Sequence, residues 1–368
     1  LIETGFLSIF LAPWRLRWTK ANEPPVSRAA MFLLKLLLFK LMLMSGVVKL
    51  SSYQLLQSTG EETWWNLTAL DYHYWSQPLP NVLAWWADQS PEWFKRFSVA
   101  FCLVIEIVVP FFIWAPRRLR LLACGLLIFL QVVIGATGNY NFFNLLTIAL
   151  CLLLIDDTVA ASRCAVRGRR SATSLPDRLC RWAAIVVIIV TLPINLRLIY
   201  GAFEPLGEWP AFLGALNSGI QPLRILNEYG LFRVMTLDRK EIVIEGSADG
   251  IDWKPYEFKW KPGDVMRAPG WCQPHQPRLD WQMWFAALGS PRERIWMSQL
   301  IIALLHGKKP VTDLFQLNPF PDAPPRFIRG TFYRYRFTNS EERRQTGAWW
   351  KRQELGEYLP SVSLEDVQ

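Results

Sequence analysis

The sequence predicts a membrane α-helical bundle followed by a β-rich, sandwich-like α+β domain on the extracytoplasmic side. Three observations carry that expectation. Long apolar stretches recur through the first 201 residues, the loops between them alternate in Lys/Arg content, and beyond Tyr200 the hydrophobic period changes from helical to alternating. The organisation read from them is a multi-pass helical domain over 1–201 with a Trp-rich outer loop at 51–96. A β-rich domain over 202–338 and a loose charged tail over 339–368 follow.

The apolar stretches are Ala29–Leu50, Phe97–Ala115, Leu121–Thr137, Asn139–Ile155 and Trp182–Tyr200. Roughly 20 apolar residues cross a bilayer, with a lower bound near 17. The last two are the shortest by this measure, and Arg197 in the fifth is placed to snorkel to the interface. Arg15, Arg17, Lys20 and Arg28 precede the first stretch, and Arg117, Arg118 and Arg120 follow the second. Arg163, Arg167, Arg169, Arg170, Arg178 and Arg181 follow the fourth. The intervening loop 51–96 has Lys95 and Arg96 only at its end. Basic loops stay cytoplasmic, so 51–96 and 202–368 are expected outside. The chain begins at Leu1, and Leu1–Ala12 reads as the end of an apolar segment, so upstream helices are expected.

The same loops account for the net charge of +9. Residues 1–201 hold 19 Lys/Arg against 11 Asp/Glu, and residues 202–368 hold 21 against 20. A nucleic-acid binder concentrates its charge on a soluble face, so no nucleic-acid partner is expected; the bilayer is. Of six cysteines only Cys272 falls in the outer domain, which rules out an intrachain disulfide there. The loop 51–96 carries Trp64, Trp65, Trp75, Trp85, Trp86 and Trp93 and is expected to lie along the outer interface as an aromatic belt, with a partner-binding surface as the alternative. In the outer domain, Glu241–Glu245 and Tyr256–Trp260 alternate around the Ser247-Ala-Asp-Gly250 turn signal, predicting a hairpin with one buried face. Tyr333–Phe337 predicts a third strand, and Gln282–Leu288 and Arg292–His306 predict helices.

Charges within apolar spans are functional candidates. Lys35, Lys40 and Glu106 are the catalytic candidates under an enzymatic reading, against a structural ion pair locking two helices. Asn141, Asn144 and Thr147 form a polar stripe suited to interhelical hydrogen bonds or a polar ligand. His73, Tyr74, Gln77, His275, Arg278, Asp280 and Trp281 are the candidate client- or ligand-binding residues on the outer side. No metal-ligand spacing, P-loop or nucleophile motif is present, so no metal or cofactor is expected.

Several stretches resemble the lipase maturation factor family. They are Glu3-Thr-Gly-Phe-Leu, Ser45-Gly-Val-Val-Lys-Leu50, Leu67-Thr-Ala-Leu-Asp-Tyr-His-Tyr74, Gln77-Pro-Leu-Pro80, Asn139-Tyr-Asn-Phe-Phe-Asn144, Tyr229-Gly-Leu-Phe-Arg-Val-Met235 and Pro274–Gly289. They run in order to about residue 338. The resemblance implies a multi-pass membrane folding factor for secreted clients, notably lipases. It implies the endoplasmic reticulum in a eukaryote, or the inner membrane with a periplasmic domain in a bacterium. The membrane part is also distantly similar to vitamin K-dependent carboxylases. A carboxylase-like enzyme acting on a lipid or quinone-like ligand, and a passive membrane assembly protein, therefore stay open.

Overall fold

The structure, a computed structural model, describes residues 1–12, 14, 26–51, 62–155, 175–203, 208–289 and 295–366. It divides into two compact units. One comprises Leu1–Leu67, Phe97–Val132 and Asn144–Val234, and the other Thr68–Arg96, Val133–Phe143 and Met235–Gln368. Two pieces of the N-terminal half thus fold with the C-terminal part. Arg15, Arg17, Lys20, Arg163, Arg167, Arg169 and Arg170 lie outside the described residues.

In chain order the helices are α1 (Ile2–Ser8), α2 (Arg28–Ser51), α3 (Ala69–Ser76), α4 (Val82–Asp88), α5 (Glu92–Ile107), α6 (Arg117–Thr137), α7 (Phe143–Leu152), α8 (Leu175–Phe203), α9 (Ala211–Ile220), α10 (Arg278–Ala287), α11 (Ile295–Leu305), α12 (Lys309–Thr312) and α13 (Ser340–Thr346). Among the described residues four segments are long and apolar enough to cross a membrane: Arg28–Ser51, Glu92–Trp114, Arg117–Thr137 and Leu175–Phe203. The apolar window of α2 is 72% buried, against 28–33% in the other three. That difference makes α2 the hub of its unit. Leu43, Met44, Val47 and Val48 pack with Ile194, Leu198 and Ala202 of α8.

The segment expected as a fourth span, Asn139–Ile155, contains only the ten-residue α7. It still returns along α6. Asn144 Nδ2 donates to Gln131 Oε1 at 2.9 Å, the Cys124 thiol to Cys151 O at 3.3 Å, and Arg120 Nε to Leu154 O at 3.2 Å. Each step forward on one arm is matched by a step back on the other, as in an antiparallel pair. Leu154 therefore ends beside the basic N-terminus of α6.

The helix crossing of α2 and α5 is set by Gly46. A Cβ there would lie 2.6 Å from Ile107 Cγ1 and 2.8 Å from Glu106 Cβ, so only glycine permits this approach. The approach brings the buried Lys49 ammonium into an ion pair with the buried Glu106 carboxylate. Lys49 also lies 4.8 Å from the Trp64 ring centroid. Trp64 Nε1 in turn donates to Phe232 O at 3.0 Å.

The second unit holds the strands β1 (Arg239–Ser247), β2 (Lys254–Pro255), β3 (Glu257–Phe258), β4 (Phe315–Leu317), β5 (Phe327–Phe337) and β6 (Trp350–Val362). They form a four-stranded antiparallel sheet in the order β2-β1-β5-β6 and a β3-β4 ribbon. The predicted hairpin forms only in part: Glu245 pairs with Pro255 and Tyr256 N donates to Ile244 O at 2.9 Å, with Gly250 at the turn at φ 79°, but Glu257 and Phe258 of the expected second arm pair with β4 instead. Its buried face is not single. Ile242 and Ile244 face Met283, Ala286, Leu300 and Leu304 of the helices. Across the sheet, Tyr335, Phe337 and Trp350 pack with Tyr74, Trp75 and Trp85. The central strand is covered on both sides because α3 and α4 supply the second layer.

Two expectations are corrected here. The aromatic loop is not uniformly an interfacial belt: Trp64, Trp75 and Trp85 are buried, whereas Trp65, Trp86 and Trp93 are exposed. The segment after Asn339 is not a loose tail. Asn339 caps α13 through a reciprocal capping box with Glu342, and β6 pairs along β5 from Phe337–Trp350 to Ile328–Val362. Lys351, Arg352, Gln353, Glu354 and Leu355 form an exposed run on this strand with no apolar alternation, which hid the pattern.

Replacing Gly46 with Val should therefore destabilise the membrane unit by about 1–3 kcal/mol, the usual cost of overpacking. Thermal unfolding of the purified protein in detergent measures this, and an unchanged midpoint would mean that α2 and α5 do not meet there.

Candidate functional site

The second unit is laced together by backbone carbonyls and a small set of polar side chains. Gln77 follows α3 and is buried. Its Nε2 donates to Thr137 O at 2.8 Å and Tyr74 O at 3.1 Å, while its Oε1 accepts from the Tyr140 hydroxyl at 2.5 Å. With that proton directed at Gln77, the His73 Nε2 lying 3.0 Å from the same hydroxyl is the donor to it. Burial pushes the Tyr140 phenol well above its ordinary pKa, so it stays a donor. Gly138 is required beside this cluster, because a Cβ there would collide with Gln77 Oε1 and the Tyr140 ring.

Asn139 adds the next set. Its Nδ2 donates to Leu79 O at 3.1 Å and Gly270 O at 2.9 Å, and its Oδ1 accepts from Cys272 N at 2.9 Å. Gln273 Nε2 reaches Gly135 O at 2.7 Å and also Gly138 O. Asn81 caps α4 by accepting from Ala84 N and donates to Ala136 O at 3.0 Å. The turn 135–141, the stretch 77–81 and the stretch 270–273 are thus held in one network.

Arg239 binds the same stretch to the sheet. Its Nε donates to Glu241 Oε1 at 2.8 Å, and Nη1 donates to Trp75 O at 2.9 Å and to Gln77 O. Nη2 donates to Pro78 O at 2.9 Å and lies 2.6 Å from Glu241 Oε1. Four of its N–H groups thus donate hydrogen bonds, and the remaining contact is the Nη2 ion pair with Glu241. Glu241 Oε2 pairs with Lys261 Nζ at 2.9 Å, and all three side chains are almost fully buried. Asp280 extends the chain: its Oδ1 accepts from Trp260 N at 2.8 Å and Lys261 N at 2.9 Å. Burial raises the Asp280 pKa, opposed by those two amides and the Lys261 charge.

The expected site residues are distributed unevenly over this network. His73 and Gln77 meet in it, and Tyr74 is buried in the aromatic layer. Asp280 serves the backbone at 260–261. Asn141 is buried in a left-handed conformation (φ 61°), and its Oδ1 has no hydrogen-bond partner among the described residues. Asn144 belongs to the other unit, on Gln131. His275 and Arg278 are exposed, and Trp281 stacks obliquely on Phe285. Asn139, Tyr140, Arg239 and Gln273 were missed. Asn139 and Tyr140 lie inside the Asn139-Tyr-Asn-Phe-Phe-Asn144 stretch, and Arg239 and Glu241 share a strand face, which is the signal that could have found them.

In the membrane unit the three intraspan charges are not brought together. Lys40 pairs with Glu3 at 2.6 Å and donates to Asn195 Oδ1 at 2.8 Å. The other Glu3 oxygen accepts from the Tyr229 hydroxyl at 2.7 Å and Asn227 Nδ2 at 3.1 Å. Glu106 is held by Lys49, and Lys35 is half-buried elsewhere on α2. Among the described residues no cluster of His, Cys, Asp or Glu could hold a metal ion.

What the second unit leaves outward is an open groove of about 600 Å³ lined by Asp238, Arg334, Arg336, Lys351 and Arg352. Aromatic rings fix two of these guanidinium groups: Arg336 lies 5.1 Å from the Trp75 ring centroid and Arg352 lies 4.7 Å from that of Tyr333. Such stacking pre-orients an arginine while leaving its N–H edge for carboxylates or phosphates.

Comparison with known proteins bears on what this arrangement serves. Residues 1–162 match the family described as lipase maturation factor transmembrane domain, and residues 225–360 match lipase maturation factor C-terminal domain. Lipase maturation factor 2 of Gallus gallus is 34% identical, that of Homo sapiens 35%, and lipase maturation factor 1 of Mus musculus 34%. Each alignment takes in 100% of this chain, which spans 64–66% of the length of these relatives. No solved structure matches. Three of the four segments able to cross a bilayer fall within the first match, and the protein is a membrane protein.

Two outcomes follow from this geometry. Arg239→Met leaves Glu241 buried and its carbonyl partners bare, so the second unit should lose about 3–5 kcal/mol, the cost of breaking a buried pair. Limited proteolysis reads this as new cleavage within 68–96; wild-type resistance would contradict the tether. Tyr140→Phe strips partners from Gln77 Oε1 and His73 Nε2 and should cost about 1–3 kcal/mol. Denaturant unfolding in detergent checks it, with an unshifted midpoint as the contrary result.

Proposed function

Because the chain belongs to the lipase maturation factor family, we propose that it is a membrane-anchored maturation factor for secreted proteins. Lipases are its client class, and it meets them on the extracytoplasmic side. In a eukaryote the site of action is the endoplasmic reticulum membrane, and in a bacterium the inner membrane with the second unit in the periplasm. The alternating basic loops of the sequence support that orientation.

One observation carries the reading beyond the family name. The polar side chains at 73–81, 135–140, 239–241 and 261–280 of the second unit bind one another and the backbone, whereas the groove lined by Arg334, Arg336, Lys351 and Arg352 faces outward. Internal polar groups hold a scaffold, and pre-oriented cations on a scaffold suit the capture of a partner. Acidic stretches of an incompletely folded client are the natural complement. The carboxylase-like reading has less support, because Lys40 is bound to Glu3 and Glu106 to Lys49.

The experiment is complementation. Cells lacking the gene are expected to secrete several-fold less active lipase while making the same amount of lipase chain, and the wild-type gene should restore secretion. Arg336→Glu combined with Arg352→Glu should restore it poorly although the protein accumulates normally. Undiminished lipase secretion in the deletion strain would refute the function. Full rescue by the double variant would move client contact away from the groove.

A further inference from the structure

The membrane unit contains a cavity of about 380 Å³ between the C-terminal ends of α2 and α8. Its apolar wall is Met44, Val48, Leu198 and Ala202. Its polar lining is Arg197 of α8, Trp209, and Glu228, Tyr229 and Arg233 from the stretch that follows α9. That volume lies within the range of small-ligand pockets. The polar wall is seated against α2 by Gly230, where a Cβ would lie 3.1 Å from Val48 Cγ2. The Tyr229 hydroxyl is directed at Glu3, which leaves its ring to the cavity. Arg197 lies 5.3 Å from the Trp209 ring centroid and donates to Glu208 O at 3.4 Å.

Depth in the bilayer identifies the ligand class. A 24-residue helix such as α2 is about 36 Å long at 1.5 Å per residue, longer than the hydrocarbon core of about 30 Å. Met44 and Val48 lie in its last eight residues, and Arg197 to Ala202 in the last seven of α8. The cavity therefore opens at the level of the lipid headgroups. Ile189 and Leu196 lie below it on α8 and Tyr200 and Phe203 level with its mouth, all four exposed, and acyl chains can lie along them. Guanidinium groups match phosphate oxygens, and a carboxylate beside aromatic rings matches an ammonium. Two cations, one anion and an apolar floor form the complement of a zwitterionic phosphoglyceride.

We propose that this cavity holds the headgroup of one zwitterionic phospholipid, its phosphate on Arg197 and Arg233 and its ammonium on Glu228. The site is separate from client capture, and it makes the membrane unit a lipid-binding module.

Native mass spectrometry of the full chain tests it, in detergent supplemented with palmitoyl-oleoyl phosphatidylethanolamine, the matching phosphatidylglycerol, or inorganic phosphate. The wild type should retain one phosphatidylethanolamine, and Arg197→Gln with Arg233→Gln should weaken retention about tenfold, the effect of losing charge-assisted bonds. Glu228→Gln should erase the preference over phosphatidylglycerol. Ala202→Phe, which fills the floor, should exclude both lipids, with thermal unfolding verifying that each variant is folded. Equal retention by wild type and the folded arginine variant, or displacement of the lipid by millimolar inorganic phosphate, would overturn the proposal.

Discussion

A fully buried arginine at the start of β1 governs the second unit. Arg239 sits on a central strand with its side chain directed at three carbonyls of the stretch 75–78 and one carboxylate. Neither side is tolerable alone. An uncompensated guanidinium in this interior would carry a desolvation penalty of several kcal/mol, and the bare carbonyls would each lack a hydrogen bond. Folding of the sheet and docking of the aromatic loop are consequently one event. The chain Arg239–Glu241–Lys261, continued by Asp280, then reaches the first turn of α10, so the helical layer shares the constraint.

The membrane unit answers a related problem with different means. Charged groups within apolar helices need partners at hand, and each such group described in detail has one. Gly46 lets Lys49 reach Glu106, and Asn195 and Glu3 enclose Lys40. These contacts fix helix crossings. They also connect the hub helix α2 to the wall of the 380 Å³ cavity through Tyr229.

Hydrophobic length and alternation made the four long helices and the strands β1 and β5 legible in the sequence. The pairing of charges was not legible. Glu106 was matched to Lys35 or Lys40 because those lysines lie mid-span, yet the partner is Lys49 near the helix end, selected by a glycine contact that hydropathy does not register. The Arg239 tether escaped for another reason: three of its acceptors are carbonyl oxygens, which carry no residue identity. Strand β6 was hidden because an edge strand keeps its charges outward. His73 and Gln77 were found, but Tyr140, which joins them, was read as part of a motif and not as a hydroxyl with two partners.

If 68–96, 133–143 and 235–368 are one folded body held by Arg239, the parts of all three outside the spans Glu92–Trp114 and Arg117–Thr137 should emerge on the same face of the membrane. Single cysteines at Trp86, Phe142 and Ile251, all exposed, can be tested with a membrane-impermeant maleimide in sealed vesicles of known orientation, with Leu175→Cys as the opposite-side reference. The account predicts that the three positions label together from the extracytoplasmic face and that Leu175→Cys labels only after permeabilisation. Labelling of any one of the three from the opposite face would contradict it.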